Sequence, residues 1–411
     1  MTLDETYERI LLGIDREKRD HAIRLLKCLA FSCRPLRAKE LAEILAVQFD
    51  TRIPRLDTSL RPGDADEAVL AACSTLVTMI ELDNYDDDDD IVFYDNDNDD
   101  EDHPYNSRVV QFSHYSVKEF LTSGRLADSD NRDLSQYHIS PESAHTILAQ
   151  SCISTLLQPD IHFENITDRS PLAKYAAQNW FHHAQCDGVA CQIQDGMEQL
   201  FDPDKKHFLM WISIQDVDDQ WPWVSPKETE ASPLFYAALC GIRSLVEHLI
   251  IMRQQDPNRS QGKQGTPLHA AVDSGHTTIA RLLLDHAANV NARDMDAETP
   301  LSVAARNGNL DIVRLLLSHG ADAHIIDRWG ASPLYRATES HKPDVVGFLL
   351  KSGADVHTRN MNNRTSLHEA ARSGNLDIVR LLLSHGADVN TLDNRGVSRL
   401  PTFQGLAITN T

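Results

Sequence analysis

The sequence has no long apolar run and no phosphate-binding loop. Its longest apolar stretches, such as LIIM at 249–252, are far shorter than the about 20 residues of a membrane-spanning helix. No GxxxxGK[ST] motif occurs, because Gly262 and Lys263 are followed by Gln264. The backbone amides and lysine that cradle a nucleotide phosphate are therefore missing. We expect no membrane span and no ATP hydrolysis by this chain alone.

Cysteine is also scarce. The 411 residues include seven cysteines without paired spacing, at positions 28, 33, 73, 152, 186, 191 and 240. An odd and sparse set is typical of a reducing compartment. The first residues, MTLDETYERI, are acidic where a secretory leader would be basic and then apolar. We therefore expect a cytoplasmic location, with the nucleus as the alternative.

The charge is strongly negative and unevenly distributed. The net charge is −22, and residues 1–230 contain 21 basic against 44 acidic side chains, whereas residues 231–411 contain 18 against 17. Twelve acids lie in residues 83–102, which contain no Lys or Arg. Such a block predicts a solvated acidic loop. It also disfavours direct nucleic-acid binding, which needs clustered cations.

A short phrase recurs along the carboxy-terminal half. It begins with Ser or Thr, continues in most copies with Pro-Leu, and starts at Ser232, Thr266, Thr299, Ser332, Thr365 and Ser398, which are 34 and then 33 residues apart. Ser or Thr can cap a helix whose first position is Pro. A second apolar block follows each phrase, as in IVRLLLSHGADAH. The period predicts stacked helical hairpins.

These blocks resemble ankyrin repeats from about Lys227 to Arg395. The resemblance is specific, with Gly320, Gly353 and Gly386 ending second helices and Asp294, Asp327 and Asp393 near the hairpin tips. It implies an α-solenoid with β-hairpin tips that binds a protein partner.

Four positions depart from the ankyrin pattern. Ala287 and His341 stand where glycine is usual, Ser366 replaces proline, and Thr338 replaces alanine. We predict that the repeat containing Thr338 and His341 is the loosest.

The amino-terminal half is predicted to be helical with one pair of strands. Thr2 and Glu5 form a capping-box pattern, and helices are expected in TLDETYERILLGI, REKRDHAIRLLKCLAF, RPLRAKELAEILAV and DEAVLAACSTL. LVTMIEL and RVVQF are expected to be strands on either side of the acidic block. A further capping box, Ser116 with Glu119, is expected to open the next helix.

This half is similar to the winged-helix segment that follows the NACHT ATPase module in fungal signal-transducing ankyrin proteins. The motifs are TLDETYERIL, RPLRAKELAEIL, LVTMIEL and VVQFSHYSVKEFL, and SPLAKYAAQNWFHHA resembles the helical linker after them. We thus expect a mostly α chain: a winged-helix-like domain at 1–125 with a disordered acidic insertion at 83–106, a helical linker at 126–226, about five repeats at 227–396, and a truncated repeat or frayed tail at 397–411.

Three possible chemical sites are weaker than their structural alternatives. The segment DNDNDDEDHPYN from Asp95 lacks the glycine and glutamate of a calcium loop. His182, His183, Cys186 and Cys191 have no second ligand pair for zinc. The neighbours Ser113, His114 and Ser116 do not by themselves form a catalytic relay. We expect no enzyme activity, no cofactor and no metal.

Aligning the repeats predicts a partner-binding surface. Tips and variable positions of the first helices supply eleven candidates: Asp273, Arg293, Met295, Arg306, Arg328, Trp329, Glu339, Arg359, Met361, Arg372 and Arg395. Trp and Arg are enriched among interface anchors. For Trp329 the alternative is packing against a neighbouring tip, and for the arginines it is solvated ion pairing.

The sequence favours a scaffold for protein–protein interaction in signalling or regulation in a fungus-like cell. We expect a monomer until a protein partner binds. Two alternatives stay open: a transcriptional co-regulator acting through protein contacts or weak DNA binding, and a fragment of a NACHT-type sensor NTPase.

Overall fold

The structure is a computed structural model that describes residues 2–81, 108–158, 170–214, 232–260 and 265–396. It divides into two compact units, Met1–Pro222 and Trp223–Thr411. The predicted acidic loop and the predicted truncated repeat lie outside the described residues. Most of the described chain is helical.

The first unit combines helices with short strands. Its described helices are α1 (Leu3–Leu12), α2 (Arg19–Phe31), α3 (Ala38–Leu45), α4 (Ala65–Cys73), α5 (Tyr115–Thr122), α6 (Gly124–Ala127), α7 (Arg132–Ser135), α8 (Pro141–Leu156), α9 (Ala173–Ala184), α10 (Val189–Gln192), α11 (Gln194–Leu200) and α12 (His207–Ile214). Its described strands are β1 (Leu36–Arg37), β2 (Val47–Gln48), β3 (Arg55–Leu56), β4 (Val77–Glu81) and β5 (Arg108–Phe112).

The capping box at the start of α1 is confirmed. The Thr2 side chain accepts a hydrogen bond from the Glu5 amide at 3.2 Å, and the Glu5 carboxylate accepts one from the Thr2 amide at 2.7 Å. This reciprocal pair satisfies two donors that a helix start leaves free. Tyr7 and Leu11 are the buried side chains of α1.

The two predicted strands form an antiparallel pair. Val77 lies opposite Phe112, and Glu81 lies opposite Arg108. A third strand, β1, pairs with β5 on its other side, which gives the order β1-β5-β4. Because β1 is only two residues long, its sequence carries no alternating pattern that would have predicted it.

The expected Ser116 cap is wrong. The helix α5 starts one residue earlier, at Tyr115, and the side chain of His114 accepts the hydrogen bond of the Ser116 amide. The Ser116 hydroxyl instead lies 2.7 Å from the Tyr7 hydroxyl. The Ser116 hydroxyl, which the local pattern assigned to the helix cap, thus contacts Tyr7 of α1.

The core of the first unit lies around α8 and α9. Helix α8 packs against α2 and α9. Trp180 of α9 meets Trp211 of α12 edge to face at 5.6 Å, and the Trp211 indole donates to the carbonyl of Ala177 at 3.0 Å. The helix predicted within 170–184 is therefore present, although it starts at Ala173.

The second unit repeats one helical hairpin. Its described helices are α13 (Pro233–Leu239) and α14 (Arg243–Ile251), α15 (Pro267–Asp273) and α16 (Thr277–Asp285), α17 (Pro300–Asn307) and α18 (Leu310–Ser318), α19 (Pro333–Glu339) and α20 (Pro343–Lys351), and α21 (Ser366–Ser373) and α22 (Leu376–Ser384). Each first helix packs against the first helix of the next pair. Leucines such as Leu316 and Leu382 are fully buried between the hairpins.

Two departures from the repeat pattern carry backbone strain. Ala287 and His341, at positions where glycine is usual, have φ of 64° and 57°. A side chain in this left-handed region costs about 1 kcal/mol relative to glycine. The looseness predicted for the repeat containing His341 stays a prediction.

The tips differ from the expected β-hairpins. In the described residues of the repeats the tips are turns, and no strand is formed there. The two arms of a tip share a bond such as Asp327 N–H to the Ala331 carbonyl at 3.0 Å, and successive tips are joined by a bond such as Arg328 N–H to the Asp296 carbonyl at 2.8 Å. One bond per tip is too few to build a ladder.

Candidate protein-interaction surface

A side chain just before each tip holds the turn in place. The Asp327 carboxylate accepts the amides of Trp329 at 2.8 Å and Ala331 at 2.9 Å. Asp294 and Asn360 do the same for their own tips. Aspartate and asparagine favour such turns because their short side chains reach the backbone two residues on. The tips are therefore fixed before any partner arrives.

Neighbouring tips are also joined to one another. The Met361 amide donates to the Trp329 carbonyl at 2.8 Å, and the Asn394 amide donates to the Asn362 carbonyl at 3.1 Å. The tips consequently form a continuous edge along the repeats. We call its seven predicted residues the tip row: Arg293, Met295, Arg328, Trp329, Arg359, Met361 and Arg395.

The four other predicted residues lie on successive first helices. We call Asp273, Arg306, Glu339 and Arg372 the inner row; they belong to α15, α17, α19 and α21. All eleven predicted residues are exposed. Their role in binding a partner stays a prediction.

The inner row has its charges paired. Arg306 lies 3.3 Å from Glu298 and 3.9 Å from Asp273. Glu339 lies 2.8 Å from Arg336, and Arg372 forms a bidentate pair with Glu369. Although burial by itself would raise the pKa of Glu369, its contacts with Arg372 hold that pKa below the usual value. The charges of the inner row are thus paired within the row or with neighbouring side chains.

The tip row is different, because it keeps exposed cations beside exposed apolar groups. Of its arginines, Arg328 is paired with Asp296 at 2.7 Å. Arg293 donates to the Ile326 carbonyl at 2.8 Å, and Arg359 donates to the Asn363 amide oxygen at 3.1 Å. These two acceptors are neutral, so the hydrogen bonds do not compensate the charge of either guanidinium group.

Three large apolar side chains separate these cations. The exposed fractions are 60% for Met295, 46% for Trp329 and 70% for Met361. Exposed apolar groups that form a contiguous patch mark interaction sites more often than scattered ones do.

Sequence reasoning missed Arg336, which supports Trp329 from below. Its guanidinium lies 5.1 Å from the centre of the indole ring, and it pairs with Asp327 at 2.9 Å and with Glu298 at 3.3 Å. Both carboxylates are buried. Burial raises the pKa of Glu298. The available signal was an arginine at a position where Ala270 and Val303 stand in two earlier repeats.

The recurring histidine after Thr266 has a structural role. The His269 Nδ1 accepts the Thr266 amide at 3.1 Å, so its Nε2 carries the proton and donates to the Glu298 carbonyl at 3.2 Å. Burial lowers the pKa of His269 to about 4. The neutral ring therefore joins one repeat to the next.

The residues considered for zinc are held apart by other contacts. His183 is buried and lies 2.8 Å from both the His145 ring and the Tyr175 hydroxyl. Burial lowers its pKa to about 3. Within the described residues no group of three or more His, Cys, Asp or Glu is placed to hold a metal ion. The calcium-like segment lies outside those residues.

The residues considered for a nucleophile meet, but at a helix start. The His114 ring lies 2.6 Å from the Ser116 hydroxyl, in the cap described above. Among the described helices none is long and apolar enough to cross a membrane.

Comparison with known proteins supports the repeat assignment. A family model described as ankyrin repeats in three copies matches residues 234–327, 291–360 and 320–393. Ankyrin repeats are thus found in the carboxy-terminal region, and such repeats are typically non-enzymatic. They indicate a role in protein–protein interaction.

Two curated proteins are similar to parts of the chain. The azaphilone pigments biosynthesis cluster protein L of Monascus ruber is 29% identical over 305 residues, which are 70% of this chain and 60% of that protein. Alpha-latrocrustotoxin-Lt1a of Latrodectus tredecimguttatus is 38% identical over 61 residues, 15% of this chain and 4% of that protein. The first match is longer than the second unit, so it extends into the first.

Proposed function

We propose that this chain is a non-enzymatic scaffold that binds a protein partner through the tip row and the inner row. The observation that carries the proposal is the tip row itself. Exposed Met, Trp and Arg side chains stand on turns that backbone hydrogen bonds already fix. A surface fixed in advance loses less conformational entropy when it binds.

Trp329 is the central anchor in this proposal. Its ring stands over Arg336, whose ion pairs with two buried carboxylates fix the position of the guanidinium. A cation beneath an indole contributes about 0.5–1 kcal/mol at an exposed site. The ring is therefore oriented while nearly half of its surface stays available to a partner.

For the first unit we propose a winged-helix-like domain at 1–125 and a helical linker at 126–226. The support is the element order α2, β1, α3, α4, β4, β5 together with the sheet order β1-β5-β4. We propose no contact with DNA, because the net charge opposes binding to phosphates.

The cellular setting is also part of the proposal. A scaffold in the cytoplasm or nucleus of a fungus, monomeric until it binds its partner, fits the similarity to a Monascus protein named for a pigment biosynthesis cluster. The alternatives, a co-regulator and a fragment of a NACHT-type NTPase, rest on the same features and have no additional support.

A matched pair of double variants tests the surface. Arg359→Ala with Met361→Ala removes one cation and one thioether from the tip row. Arg380→Ala with Met252→Ala removes the same groups from α22 and from the residue that directly follows α14, and Met252 is 71% exposed, close to the 70% of Met361. Each purified protein would be used to capture partners from a fungal extract and compared by quantitative mass spectrometry.

We expect the tip variant to lose at least one partner that the control variant retains. Loss of two interface side chains commonly weakens binding by about 2 kcal/mol or more, roughly thirtyfold. If both variants retain the same partners in equal amounts, the assigned surface is wrong.

A further inference from the structure

We infer that the occupant of the tip row is an acidic segment of the partner protein, with apolar side chains between its acids. This inference rests on the proposed function, because it specifies the chemistry of the partner at that same surface. Three observations carry it: the unbalanced charge, the apolar residues between the cations, and the spacing of the repeats.

The first observation is the charge. At the tips, the buried carboxylates Asp327 and Asp393 already pair with Arg336 and Arg364, and the Asp294 carboxylate accepts two backbone amides of its own turn. Asp296 pairs with Arg328. The charges of Arg293, Arg359 and Arg395 are exposed and stand along one edge. In a chain of net charge −22, this edge is a local concentration of positive charge, and an acidic segment complements it.

The second observation is the apolar content of the row. Met295, Trp329 and Met361 stand between successive arginines. Methionine adapts its shape to varied apolar partners, and tryptophan supplies a large flat contact. A purely acidic segment would leave these groups in water. A segment that also carries leucine or phenylalanine would cover them.

The third observation is the spacing. Packed helices lie about 8–10 Å apart, so successive tips repeat at about that distance. An extended or polyproline-like peptide rises about 3.1–3.4 Å per residue. Three peptide residues therefore span one repeat. Acids three residues apart would meet adjacent tips, as at Arg359 and Arg395, and acids six residues apart would meet tips two repeats apart, as at Arg293 and Arg359.

A nucleic acid fits the same surface less well. Asp322, Asp355 and Asp388 are exposed in the loops that lead to the tips. A phosphate backbone carries closely and evenly spaced charges along its length, so it would approach these carboxylates as well as the arginines. A peptide can place its acids at the arginines alone.

The experiment uses the full chain and three labelled probes. The first is the peptide DLSDLSDLSDLS, which has an aspartate at every third position. The second has asparagine for each aspartate, and the third is a twelve-residue oligothymidylate. Binding would be measured by fluorescence anisotropy at low and at physiological salt.

Two variants that each remove two positive charges complete the design. Arg359→Gln with Arg395→Gln changes the tip row, whereas Arg243→Gln with Arg380→Gln removes two exposed, ion-paired arginines from second helices, outside both rows. We expect the aspartate peptide to bind at least tenfold more tightly than the asparagine peptide, and less tightly as salt rises. The tip-row variant should weaken this binding about tenfold, and the second-helix variant by less than twofold.

Three results would overturn the inference: no preference for the aspartate peptide, equal effects of the two variants, or tighter binding of the oligothymidylate. None of these would by itself overturn the proposed function. If the alanine variants at the tips still lose a protein partner, the surface is correct and the inferred chemistry of the partner is wrong.

Discussion

The two units of this protein stabilise their buried polar groups over very different sequence distances. In the first unit the Glu43 carboxylate of α3 accepts the Ser170 hydroxyl at 2.8 Å and the Leu172 amide at 2.7 Å, residues that lie 127 and 129 positions away. In the second unit His269 reaches only the next repeat, at Glu298. The first unit should therefore unfold as a whole, whereas the repeats depend on their nearest neighbours.

The largest effect is expected at Glu43. Its carboxylate also pairs with Arg61 at 2.5 Å and is itself almost fully buried. Glu43→Ala leaves the Ser170 and Leu172 donors without an acceptor, and breaking such a pair costs about 3–5 kcal/mol. Urea unfolding followed by circular dichroism measures the loss.

Hydrogen exchange shows which parts of the chain are destabilised by Glu43→Ala. Exchange should rise throughout the first unit and stay unchanged in the repeats. Glu247→Ala, which breaks an exposed pair with Arg243, serves as control and should cost less than about 1 kcal/mol. A loss confined to α3 would contradict the proposed cooperativity of the first unit.

The next effect is expected for the leucines between repeats. Leu316→Ala should cost about 2–5 kcal/mol, because its side chain is fully buried and the cavity stays partly open. Leu376→Ala, at a side chain that keeps 36% of its surface exposed, is the matched control and should cost less. Hydrogen exchange should rise in α18 and the adjoining hairpins first. If hydrogen exchange rose equally in both units, the prediction that each repeat depends on its nearest neighbours would be wrong.

A third prediction concerns pH. Burial places the pKa of His269 at about 4, below its ordinary value of 6.5. As pH falls below 6.5 the unfolded chain takes up this proton before the folded chain does, so stability decreases until about pH 4. The loss between pH 7 and pH 5 is about 2 kcal/mol.

The His269→Gln variant isolates this contribution. A glutamine at this position of a capping box can still accept the Thr266 amide but does not titrate. The variant should therefore show a shallower dependence of unfolding free energy on pH in the repeats. If the pH dependence of the unfolding free energy is unchanged, a group other than His269 is responsible for it.

The smallest effect on stability is expected at Trp329. Because nearly half of its side chain is exposed, Trp329→Ala should cost about 1 kcal/mol, largely through the contact with Arg336. Urea unfolding should place this loss well below that of Leu316→Ala. A loss as large as the leucine's would mean that the ring is a structural element of the repeats and is not held ready for a partner.

The difference between the units also explains what could be predicted. The same phrase recurs at 33-residue intervals, so each copy supports the interpretation of the others. The helices of the second unit therefore follow from local signals. The first unit has no repetition. Its cap at Thr2 and its strands β4 and β5 follow from local patterns, but β1 and the contact of the Ser116 hydroxyl with Tyr7 depend on partners far along the chain.

The candidate surface shows the same division. Exposure of the eleven residues follows from their places at tips and on variable helix positions. Arg336 was missed, since a single arginine within an apolar helix pattern gives no sign of the carboxylates it will meet. The expected β-hairpins were wrong because the two arms of each tip share too few backbone hydrogen bonds to form strands, which the residue pattern does not reveal.

The sequence by itself determined the helical hairpins, their period and the residues at their tips, because capping, turn formation and apolar spacing act within a few residues. Only the tertiary structure decided which charges are cancelled and which stay available. Ion pairing depends on distances of a few ångströms between residues that the sequence leaves far apart, and this is why the inner row is neutralised while the tip row keeps its positive charge.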